Sequence, residues 1–415
     1  MTVYDVIIIG AGASGLMASI HAATRGCRVL VIDHANSAGK KILLSGGGKC
    51  NITNRHVSTA DYFGADHKFC KHALKSFTTA SVIHLLQEAR IATEEREHGR
   101  IFCKKGAHEI VTFLVRTAEQ LDVHFLMNMK VSEVKHDDGS FFVQCTEPHV
   151  KTTHLLTKRS DKLFQAAHLL MATGGLACPQ IGATDLGYRI ARQFGHEIIS
   201  IKPALAGFIL PDSSPLRNLQ GISLNVCIQI KGRGKVVEEP LLFTHQGISG
   251  PAVLQVSCFW EAGEVILINF LPADNIVLQM HNPINGKLQV KSLVARLLPE
   301  RLAKALLPAC LSERKVAEIN RKDREIIAES IHSYPVTPDA VEGFTKAEAT
   351  LGGVSTRELN PKSMESLLLK GLYFSGEVID ITGRLGGYNI HWAFASGYVA
   401  GQNMSKDNRV LNKTI

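Results

Sequence analysis

Hydrophobic positions follow two periods along this chain, and the first third alternates between them. Short apolar runs at Val6–Ile9 and Cys27–Ile32 flank a segment with helical spacing. Continuous runs of this length are typical of strands buried on both faces. Apolar residues recur every three to four positions at 66–90 and 107–121, which predicts further helices. The opening pattern therefore predicts an α/β fold.

The remaining pattern predicts a discontinuous domain with an insert. Residues at about 200–285 alternate between apolar and polar positions, which indicates a mainly β region. Helical spacing follows at about 286–331, and a strand, a glycine loop and a helix return after about 345. We predict a first domain in two parts, 1–197 and 345–415, and an insert at 198–344 with a helical subdomain.

A glycine turn directly follows the first predicted strand. Gly10, Gly12 and Gly15 form a G-x-G-x-x-G pattern, and Asp33 ends the second strand. The first glycine allows the tight turn, the second lets the backbone approach a pyrophosphate, and the third allows close packing of helix on strand. The helix start offers free N–H groups to phosphates, and the acid can accept ribose hydroxyls. This arrangement predicts a bound dinucleotide.

Three later motifs lie at predicted strand ends. A triple-glycine loop follows Ser45, a Thr-Gly-Gly sequence ends the strand at 169–175, and a strand at 372–375 leads into G-E-x-x-D and then G-G-Y-N. Consecutive glycines allow close approach of the backbone to another group. Glu377 could hold a ribityl hydroxyl, and the helix after it could face a ring edge. The alternatives are a flexible surface loop at the triple glycine and solvated or helix-capping roles for the acids.

Together these motifs give the set of residues predicted to contact the cofactor. They are Gly10, Gly12, Ala13, Ser14, Gly15, Asp33, Lys41, Ser45, Gly46, Gly47, Gly48, Cys50, Asn51, Thr173, Gly174, Gly175, Gly376, Glu377, Asp380, Gly386, Gly387, Tyr388 and Asn389.

Composition narrows the class of protein. The nine cysteines include no C-x-x-C pair, which indicates reduced thiols and excludes a structural zinc or iron–sulfur site of that spacing. The 18 histidines show no H-x-x-x-H spacing, so no metal is predicted. The chain shows neither a signal peptide nor an apolar stretch of membrane-spanning length, so we expect a soluble, cytoplasmic protein. The net charge of +8 suits either an ordinary basic enzyme or an anionic partner such as nucleic acid.

The motifs resemble those of the BaiN/YhiN-type flavoproteins, which are also described as NAD(P)/FAD-dependent oxidoreductases or the aminoacetone oxidase family. The resemblance rests on S-G-G-G-x-C-N at 45–51, T-H-x-G-I-S-G-P at 244–251 and the segment 376–389. It implies bound FAD, a discontinuous Rossmann-like domain, and an inserted β-barrel with a helical subdomain. The chain departs from the family's pattern at Asp33, Cys103 and His391, where Glu, Pro and Gln are usual.

The resemblance also implies reduction of a carbon–carbon double bond, in a bile-acid-like steroid or in a uracil of ribosomal RNA. Cys50 is the candidate proton donor, with a buried packing role as the alternative. His391 is a second candidate catalytic residue, at a position where the chain departs from the family's pattern. A second G-x-G-x-x-G after a strand is missing from the sequence, so NAD(P)H, if it is the reductant, is expected to bind transiently.

Three functions stay open at this point. An enzyme that makes dihydrouridine in ribosomal RNA agrees with the positive charge, with a basic stretch at 151–162, and with ten basic against six acidic residues at 287–329. A small-molecule ene-reductase or amine oxidase is the first alternative, and a non-catalytic flavin redox module is the second. The oligomeric state stays open.

Overall fold

The computed structural model describes residues 1–147 and 161–406. The contacts divide the chain into two compact units, Met1–Lys202 with Ala349–Ile415, and Pro203–Glu348. The first unit is therefore discontinuous in sequence. The predicted boundaries at 197/198 and 344/345 lie a few residues before these breaks in the contacts.

The amino-terminal part of the first unit contains short strands and helices. Its strands are β1 (Thr2–Ile9), β2 (Val29–Ile32), β3 (Asn51–Asn54), β4 (Tyr62–Phe63), β5 (Thr93–Arg96), β6 (Arg100–Cys103), β7 (His124–Leu126), β8 (Lys130–Asp137), β9 (Ser140–Thr146), β10 (Lys162–Met171) and β11 (Ile198–Ala204). Its helices are α1 (Ala13–Thr24), α2 (Lys40–Leu44), α3 (Lys71–Ser76), α4 (Thr79–Glu88), α5 (Ala107–Gln120) and α6 (Leu186–Gln193). The stretch predicted as helical at 66–90 is divided at Phe77, because Thr78 caps a new helix by accepting a hydrogen bond from the Ser81 N–H at 3.2 Å.

The second unit is built on one antiparallel sheet. Its strands are β12 (Phe208–Ile209), β13 (Ser223–Ile230), β14 (Val236–Phe243), β15 (Gly247–Ser249), β16 (Ile266–Asn269), β17 (Tyr334–Val336) and β18 (Ala340–Val341). Its helices are α7 (Pro251–Ser257), α8 (Ile276–His281), α9 (Val290–Val294), α10 (Glu300–Leu306), α11 (Ala309–Ser312) and α12 (Arg321–His332). The strand order is β17-β16-β13-β14-β15-β12-β18. Because β17 and β18 are consecutive in sequence but lie at the two ends of this order, the sheet must curl back on itself.

The chain then returns to the first unit and completes its sheet. The returning elements are β19 (Ala349–Val354), β20 (Leu372–Phe374), β21 (Thr382–Gly383) and α13 (Tyr388–Asn403). The seven-stranded sheet runs β7-β2-β1-β10-β9-β8, and β20 pairs with β10. Strands β7, β2, β1, β10 and β20 are parallel to their neighbours in this group. The residues Val6–Ile9 and Val29–Ile32 are buried, as expected for strands covered on both faces.

Helix α13 packs closely on α1 because small residues lie between them. A Cβ on Gly397 would overlap the Ser14 carbonyl oxygen, and a Cβ on Gly401 would lie 2.6 Å from the carbonyl oxygen of Ala18. The two helices therefore approach through their backbones. This contact holds the second half of α13 against the first half of α1, although more than 360 residues separate Ser14 from α13 in sequence.

Candidate functional site

Four strand ends lie at one edge of the parallel sheet. The register places Ile9 beside both Ile32 and Met171, and Met171 beside Phe374. Because these strands are parallel, the residues that follow them emerge at the same edge, which is where open α/β sheets bind ligands. The predicted glycine turn, Asp33, the Thr-Gly-Gly segment and the G-E motif all follow these strands.

A cleft of about 160 Å³ lies at this edge. Its lining comes from all four strand ends and from the starts of α1, α2 and α13. The predicted cofactor residues among its lining are Gly10, Gly12, Ala13, Ser14, Asp33, Lys41, Thr173, Gly174, Gly175, Glu377 and Asn389. The cleft therefore brings together residues that are distant in sequence.

The three glycines of the first turn have different neighbours. A Cβ on Gly10, where φ is +111°, would overlap the carbonyl oxygen of Ala172, and a Cβ on Gly15 would overlap the carbonyl oxygen of Gly10. A Cβ on Gly12 would meet no protein atom within 4 Å. The protein itself thus requires the first and third glycines, whereas the space at the second faces the cleft.

Asp33 links the end of β2 to the glycine turn. Its Oδ2 accepts a hydrogen bond from the Ala11 N–H at 2.7 Å, and its Oδ1 accepts one from the Ala35 N–H at 2.8 Å. These two hydrogen bonds hold the carboxylate in place. The Asp33 side chain is 14% exposed and lines the cleft. Each oxygen keeps a second lone pair for a ligand hydroxyl.

Glu377 lines the cleft after strand β20, and the protein provides a partner for only one of its two carboxylate oxygens. One of its oxygens forms an ion pair with Lys41, while Oε1 is buried and has no hydrogen-bond partner among the described residues. The Thr173 hydroxyl is also buried without such a partner. A buried polar atom without a partner is costly, so two of them lining one cleft indicate groups that a ligand satisfies.

These features fit the cofactor that the resemblance implies. The open position at Gly12 and the start of α1 suit a pyrophosphate, and Asp33 suits a ribose. The unsatisfied oxygens of Thr173 and Glu377 suit a polyhydroxylated ribityl chain. The donor and acceptor set therefore fits FAD.

The second glycine-rich helix start is held by protein contacts. Gly387, the residue before α13, has a φ of 93°, and a Cβ there would lie 2.8 Å from Asn51 Oδ1. Asn389 accepts a hydrogen bond from the Gly383 N–H and donates one to the Gly383 carbonyl, both at 2.8 Å. The Tyr62 hydroxyl donates to the Tyr388 carbonyl at 3.1 Å. These contacts fix where α13 begins.

His391 is fully buried in the first turns of α13. Its Nε2 lies 3.0 Å from the Phe77 carbonyl, and its Nδ1 lies 2.6 Å from the Thr53 hydroxyl. A neutral ring satisfies both contacts, with Nε2–H as the donor and Nδ1 as the acceptor. Burial lowers the pKa of His391 to about 4, which agrees with a neutral ring. The geometry thus gives His391 a positioning role between α13, β3 and the end of α3.

The triple-glycine loop folds into left-handed turns before β3. Gly46, Gly47 and Gly48 have φ values of 57°, 65° and 86°, and Cys50 has a φ of 49°. Glycine is favoured here because L side chains rarely adopt such angles. A Cβ on Gly46 would lie 2.8 Å from the ring of Phe102, whereas a Cβ on Gly47 would meet no atom within 4 Å.

Cys50 is buried behind this loop and is paired with a second thiol. The register of β3 and β6 puts Asn51 opposite Phe102, so Cys50 lies opposite Cys103. Both side chains are inaccessible to solvent, and both thiols are free. The interaction between the two thiols lowers the pKa of Cys50 and raises that of Cys103.

Asp380 ends the G-E-x-x-D motif, and Tyr188 of α6 lies near both of its acids. Asp380 Oδ2 accepts a hydrogen bond from the Ala65 N–H at 2.8 Å, and burial raises the pKa of Asp380 to about 6. The Tyr188 hydroxyl is buried and has no hydrogen-bond partner among the described residues. Burial and the charges of Glu377 and Asp380 raise the pKa of Tyr188. Sequence reasoning missed this tyrosine, because a tyrosine on a short amphipathic helix resembles an ordinary core residue.

Several predicted site residues lie outside the lining of the cleft. They are Gly15, Ser45, Gly46, Gly47, Gly48, Cys50, Asn51, Gly376, Asp380, Gly386, Gly387, Tyr388 and His391. Gly376 is packed in the protein, where a Cβ would lie 2.7 Å from Ser14 Oγ. The described geometry gives Gly15, Gly376 and Gly387 structural contacts, and their predicted roles in cofactor binding stay predictions.

The described parts of the chain, 1–147 and 161–406, contain neither a group of three or more potential metal-ligating side chains nor a helix long and apolar enough to cross a membrane.

Most of the predicted basic stretch at 151–162 lies outside the described residues. In the segment 287–329, Lys291, Arg314 and Arg321 form ion pairs with nearby acids. These three charges are therefore partly neutralised within the protein.

Comparisons with known proteins identify the family of this chain. The family model described as HI0933-like protein Rossmann domain matches residues 4–403. Relatives named ribosomal RNA dihydrouridine synthase are 38% identical, from Escherichia coli over 97% of this chain and 98% of the relative, and from Haemophilus influenzae over 96% and 98%. A relative from Clostridium scindens named 3-dehydro-bile acid delta(4,6)-reductase is 27% identical over 95% of this chain and 97% of its own length.

Solved structures share the fold at lower identity. Sdh1 of Mycobacterium smegmatis, solved in complex with UQ1, has a TM-score of 0.50 and 15% identity, covering 99% of this chain and 71% of that chain. FrdA of the E. coli quinol fumarate reductase has a TM-score of 0.50 and 18% identity, covering 97% and 70%. The predicted Rossmann-like α/β fold and the predicted family are thus confirmed. The chain belongs to the HI0933-like Rossmann family and is an FAD-dependent flavoprotein oxidoreductase.

Proposed function

We propose that this chain reduces the C5–C6 double bond of a uridine in ribosomal RNA and so forms dihydrouridine. The observation that carries the proposal is the 38% identity to two ribosomal RNA dihydrouridine synthases, each of which is matched over 98% of its own length. A match of this extent covers both the cofactor unit and the unit at Pro203–Glu348.

Reduction of this bond adds a hydride to one carbon and a proton to the other. FAD, when bound and reduced, would supply the hydride. The residues that would hold it are Gly12 with the start of α1 for the pyrophosphate, Asp33 for the ribose, and Thr173 with Glu377 for the ribityl chain. Lys41 pairs with Glu377 and thereby fixes the orientation of its carboxylate.

Cys50 is the proposed proton donor. Transfer of its proton leaves a thiolate, and the neighbouring Cys103 thiol stabilises that thiolate, so that Cys50 becomes a stronger acid. Because both thiols are buried, the role requires the substrate base to reach the loop at 45–50. His391 is the second candidate; to donate a proton, its neutral ring would first have to take one up and to give up its contact with Thr53 or Phe77.

The Cys50→Ala variant tests the proton donor. We expect this variant to keep its bound FAD but to lose the reoxidation of reduced flavin by an RNA substrate. The matched control is Cys145→Ala, which removes a buried thiol of β9 and should leave the reaction unchanged. Unchanged reoxidation in Cys50→Ala would eliminate Cys50 as the donor.

We also propose NAD(P)H as the reductant. It would bind transiently, because the sequence contains no second G-x-G-x-x-G after a strand. Anaerobic mixing of the holoenzyme with NADH or NADPH should bleach the flavin absorbance. A flavin that neither nicotinamide reduces would require another electron donor.

A small-molecule enone is the second candidate substrate. The relative named as a bile acid reductase supports it, at the lower identity of 27%. Anaerobic reduced holoenzyme should be reoxidised by ribosomal RNA and not by a steroid enone if the first proposal is right. The opposite result would favour the small-molecule reductase. Reoxidation by neither, with rapid oxidation of an amine, would favour an amine oxidase, and no turnover of any of them would favour a redox module.

The deciding experiment uses cells. Ribosomal RNA from a strain that carries the gene should contain a dihydrouridine that disappears in a deletion strain and returns with the plasmid-borne gene. Mass spectrometry of nuclease digests measures the change. A dihydrouridine content that is identical in both strains would overturn the proposal. A ribosomal RNA substrate also requires a cytoplasmic protein, as the sequence predicts.

A further inference from the structure

A second concave surface of the first unit is lined by basic side chains. We call it the lysine groove, formed by Lys68, Lys71, His72 and Lys75 on one side and by Lys362 on the other. It has a volume of about 460 Å³, and these five side chains belong to exposed residues. The sequence analysis did not single it out, because Lys362 is far from the other four in sequence.

The basic residues share one face of a helical segment. Lys68, Lys71 and Lys75 are spaced by three and four residues, which places them on one face of the turns from His67 through α3. Phe69, Cys70 and Ala73 are buried, and Phe69 also lines the floor of the groove. The segment thus presents cations outward while its apolar side is fully used for packing.

The lysines are not neutralised by the protein. Across residues 1–147 and 161–406, none of Lys68, Lys71, Lys75 and Lys362 forms an ion pair. The acid on the groove is Asp66, whose Oδ1 accepts a hydrogen bond from the Lys68 N–H at 3.0 Å and so caps the segment. Four lysines therefore face one carboxylate. Like charges concentrated in a groove raise a positive potential that attracts polyanions.

We infer that the lysine groove binds the phosphate backbone of the RNA substrate. The inference rests on the proposed function, and it adds the surface that holds RNA apart from the base to be reduced. Lysine contacts to phosphates position a nucleic acid without reading its sequence. A membrane surface is disfavoured because a membrane-bound helix inserts an apolar face, and here Phe69 and Ala73 are buried.

The groove is connected to the cofactor cleft through α13. Phe69 packs against Trp392, with ring centroids 6.4 Å apart and the planes at 73°. The neighbouring residues Asn389, Ile390 and Ala393 of the same helix line the cleft. RNA held in the groove would therefore be fixed to the helix that borders the cofactor.

The test compares two double variants of the holoenzyme. Lys71→Gln with Lys75→Gln removes two charges from the groove, and Lys130→Gln with Lys202→Gln removes two exposed charges elsewhere in the same unit. Binding of a ribosomal RNA transcript is measured over a series of KCl concentrations. Each phosphate contact contributes about 0.7 to 0.9 to the slope of log K against log salt, so the groove variant should lose about 1.5 from the slope.

At low salt we expect the dissociation constant of the groove variant to rise at least tenfold, with the control variant unchanged. FAD content and the rate of flavin reduction by NAD(P)H should be the same in all proteins, which shows that the variants are folded. Equal affinity and equal slope in both variants would overturn the groove as the RNA surface. A wild type that binds RNA through these lysines but forms no dihydrouridine would instead overturn the proposed function alone.

Two further outcomes are decisive. Lysine-dependent binding to phosphatidylserine vesicles, with RNA binding unaffected, would replace the inference with a membrane surface. A wild type with no salt-dependent RNA binding would overturn the inference directly. An activity assay on a free uridine nucleoside separates the steps, because the groove variant should match the wild type there.

Discussion

Helices α1 and α13 both begin at glycine-rich turns of the same unit, yet their glycines meet different neighbours. At α1, a Cβ on Gly12 would meet no protein atom within 4 Å. At α13, a Cβ on Gly383 would lie 2.6 Å from the Tyr388 Cβ, and one on Gly387 would lie 2.8 Å from Asn51 Oδ1. The first turn leaves space toward the cleft at Gly12, whereas Gly383 and Gly387 of the second face other parts of the protein.

This difference shows that similar glycine patterns have two physical causes. A glycine can be required because a ligand approaches the backbone, or because another part of the chain does. The two causes are separable, since the first predicts a loss of cofactor affinity and the second a loss of stability. Four experiments test the comparison, in order of decreasing effect.

The largest effect is expected for Gly387→Ala. The substitution forces a φ of 93° on alanine and pushes its Cβ toward Thr53 and Asn51, so it should lower the free energy of unfolding by about 4 kcal/mol. Denaturant unfolding of the apoprotein measures the change. The control is Gly26→Ala. Gly26 has a φ of 82° but no neighbour within 4 Å of an added Cβ, so this variant measures the cost of the backbone conformation alone. An equal loss of unfolding free energy in both variants would show that close packing around Gly387 does not contribute.

A pH effect of intermediate size is expected from His391, which ties α13 to β3. Its pKa in the folded protein is about 4, below the unfolded value of 6.5, so the unfolded chain binds the proton more readily. The stabilisation is complete above pH 6.5 and is lost as the pH falls toward 4, amounting to about 3 kcal/mol. The apoprotein of His391→Gln should lose less stability over this interval than the wild type. Parallel curves for the two proteins would argue against a buried neutral ring.

A smaller effect, on the cofactor alone, is expected for Gly12→Ala. Its added methyl group meets no protein atom but enters the space where the pyrophosphate is expected, so FAD affinity should fall about 30-fold. The free energy of unfolding of the apoprotein should stay within about 0.5 kcal/mol of the wild type. Titration of the apoprotein with FAD gives the dissociation constant. If Gly12→Ala lowers the stability of the apoprotein and leaves FAD affinity unchanged, then the glycines at both helix starts serve packing within the protein.

The smallest effect is expected for Asp33→Asn. Loss of the charge weakens acceptance from ribose hydroxyls and should reduce FAD affinity about tenfold. Asp5→Asn is the matched control, because Asp5 Oδ2 also accepts a backbone N–H, that of Arg28 at 2.7 Å, but Asp5 lies within β1 and outside the lining of the cleft. The same loss of affinity in both variants would show that Asp33 acts only through the fold.

Much of the fold follows from local pattern. The buried strands β1 and β2, the turn at Gly10–Gly15 and the amphipathic helix α5 were predictable, because apolar period and glycine spacing act within short windows. The break at Phe77 was not, since the cap at Thr78 competes with a continuous apolar period. The cofactor type came from motif resemblance, because the first turn alone suits NAD as well as FAD.

The site was less predictable than the fold. Sequence motifs identified Asp33 and Glu377, but the ion pair of Glu377 with Lys41 and its unsatisfied second oxygen depend on contacts over hundreds of residues. The partners of His391 could not be found from sequence, because Thr53 and Phe77 precede it by more than 300 residues. Burial then decided that its ring is neutral.

By itself, the sequence determined the α/β class, the glycine turn with its acid, and the family, since each depends on residues close together or on motifs read in order. Tertiary structure alone decided which glycines face a ligand, that Cys50 is paired with Cys103, and that Lys362 joins the lysines of α3 in one groove. The physical reason is that hydrophobic period and backbone propensity are local, whereas burial, hydrogen-bond satisfaction and charge pairing are set by whatever the folded chain brings into contact.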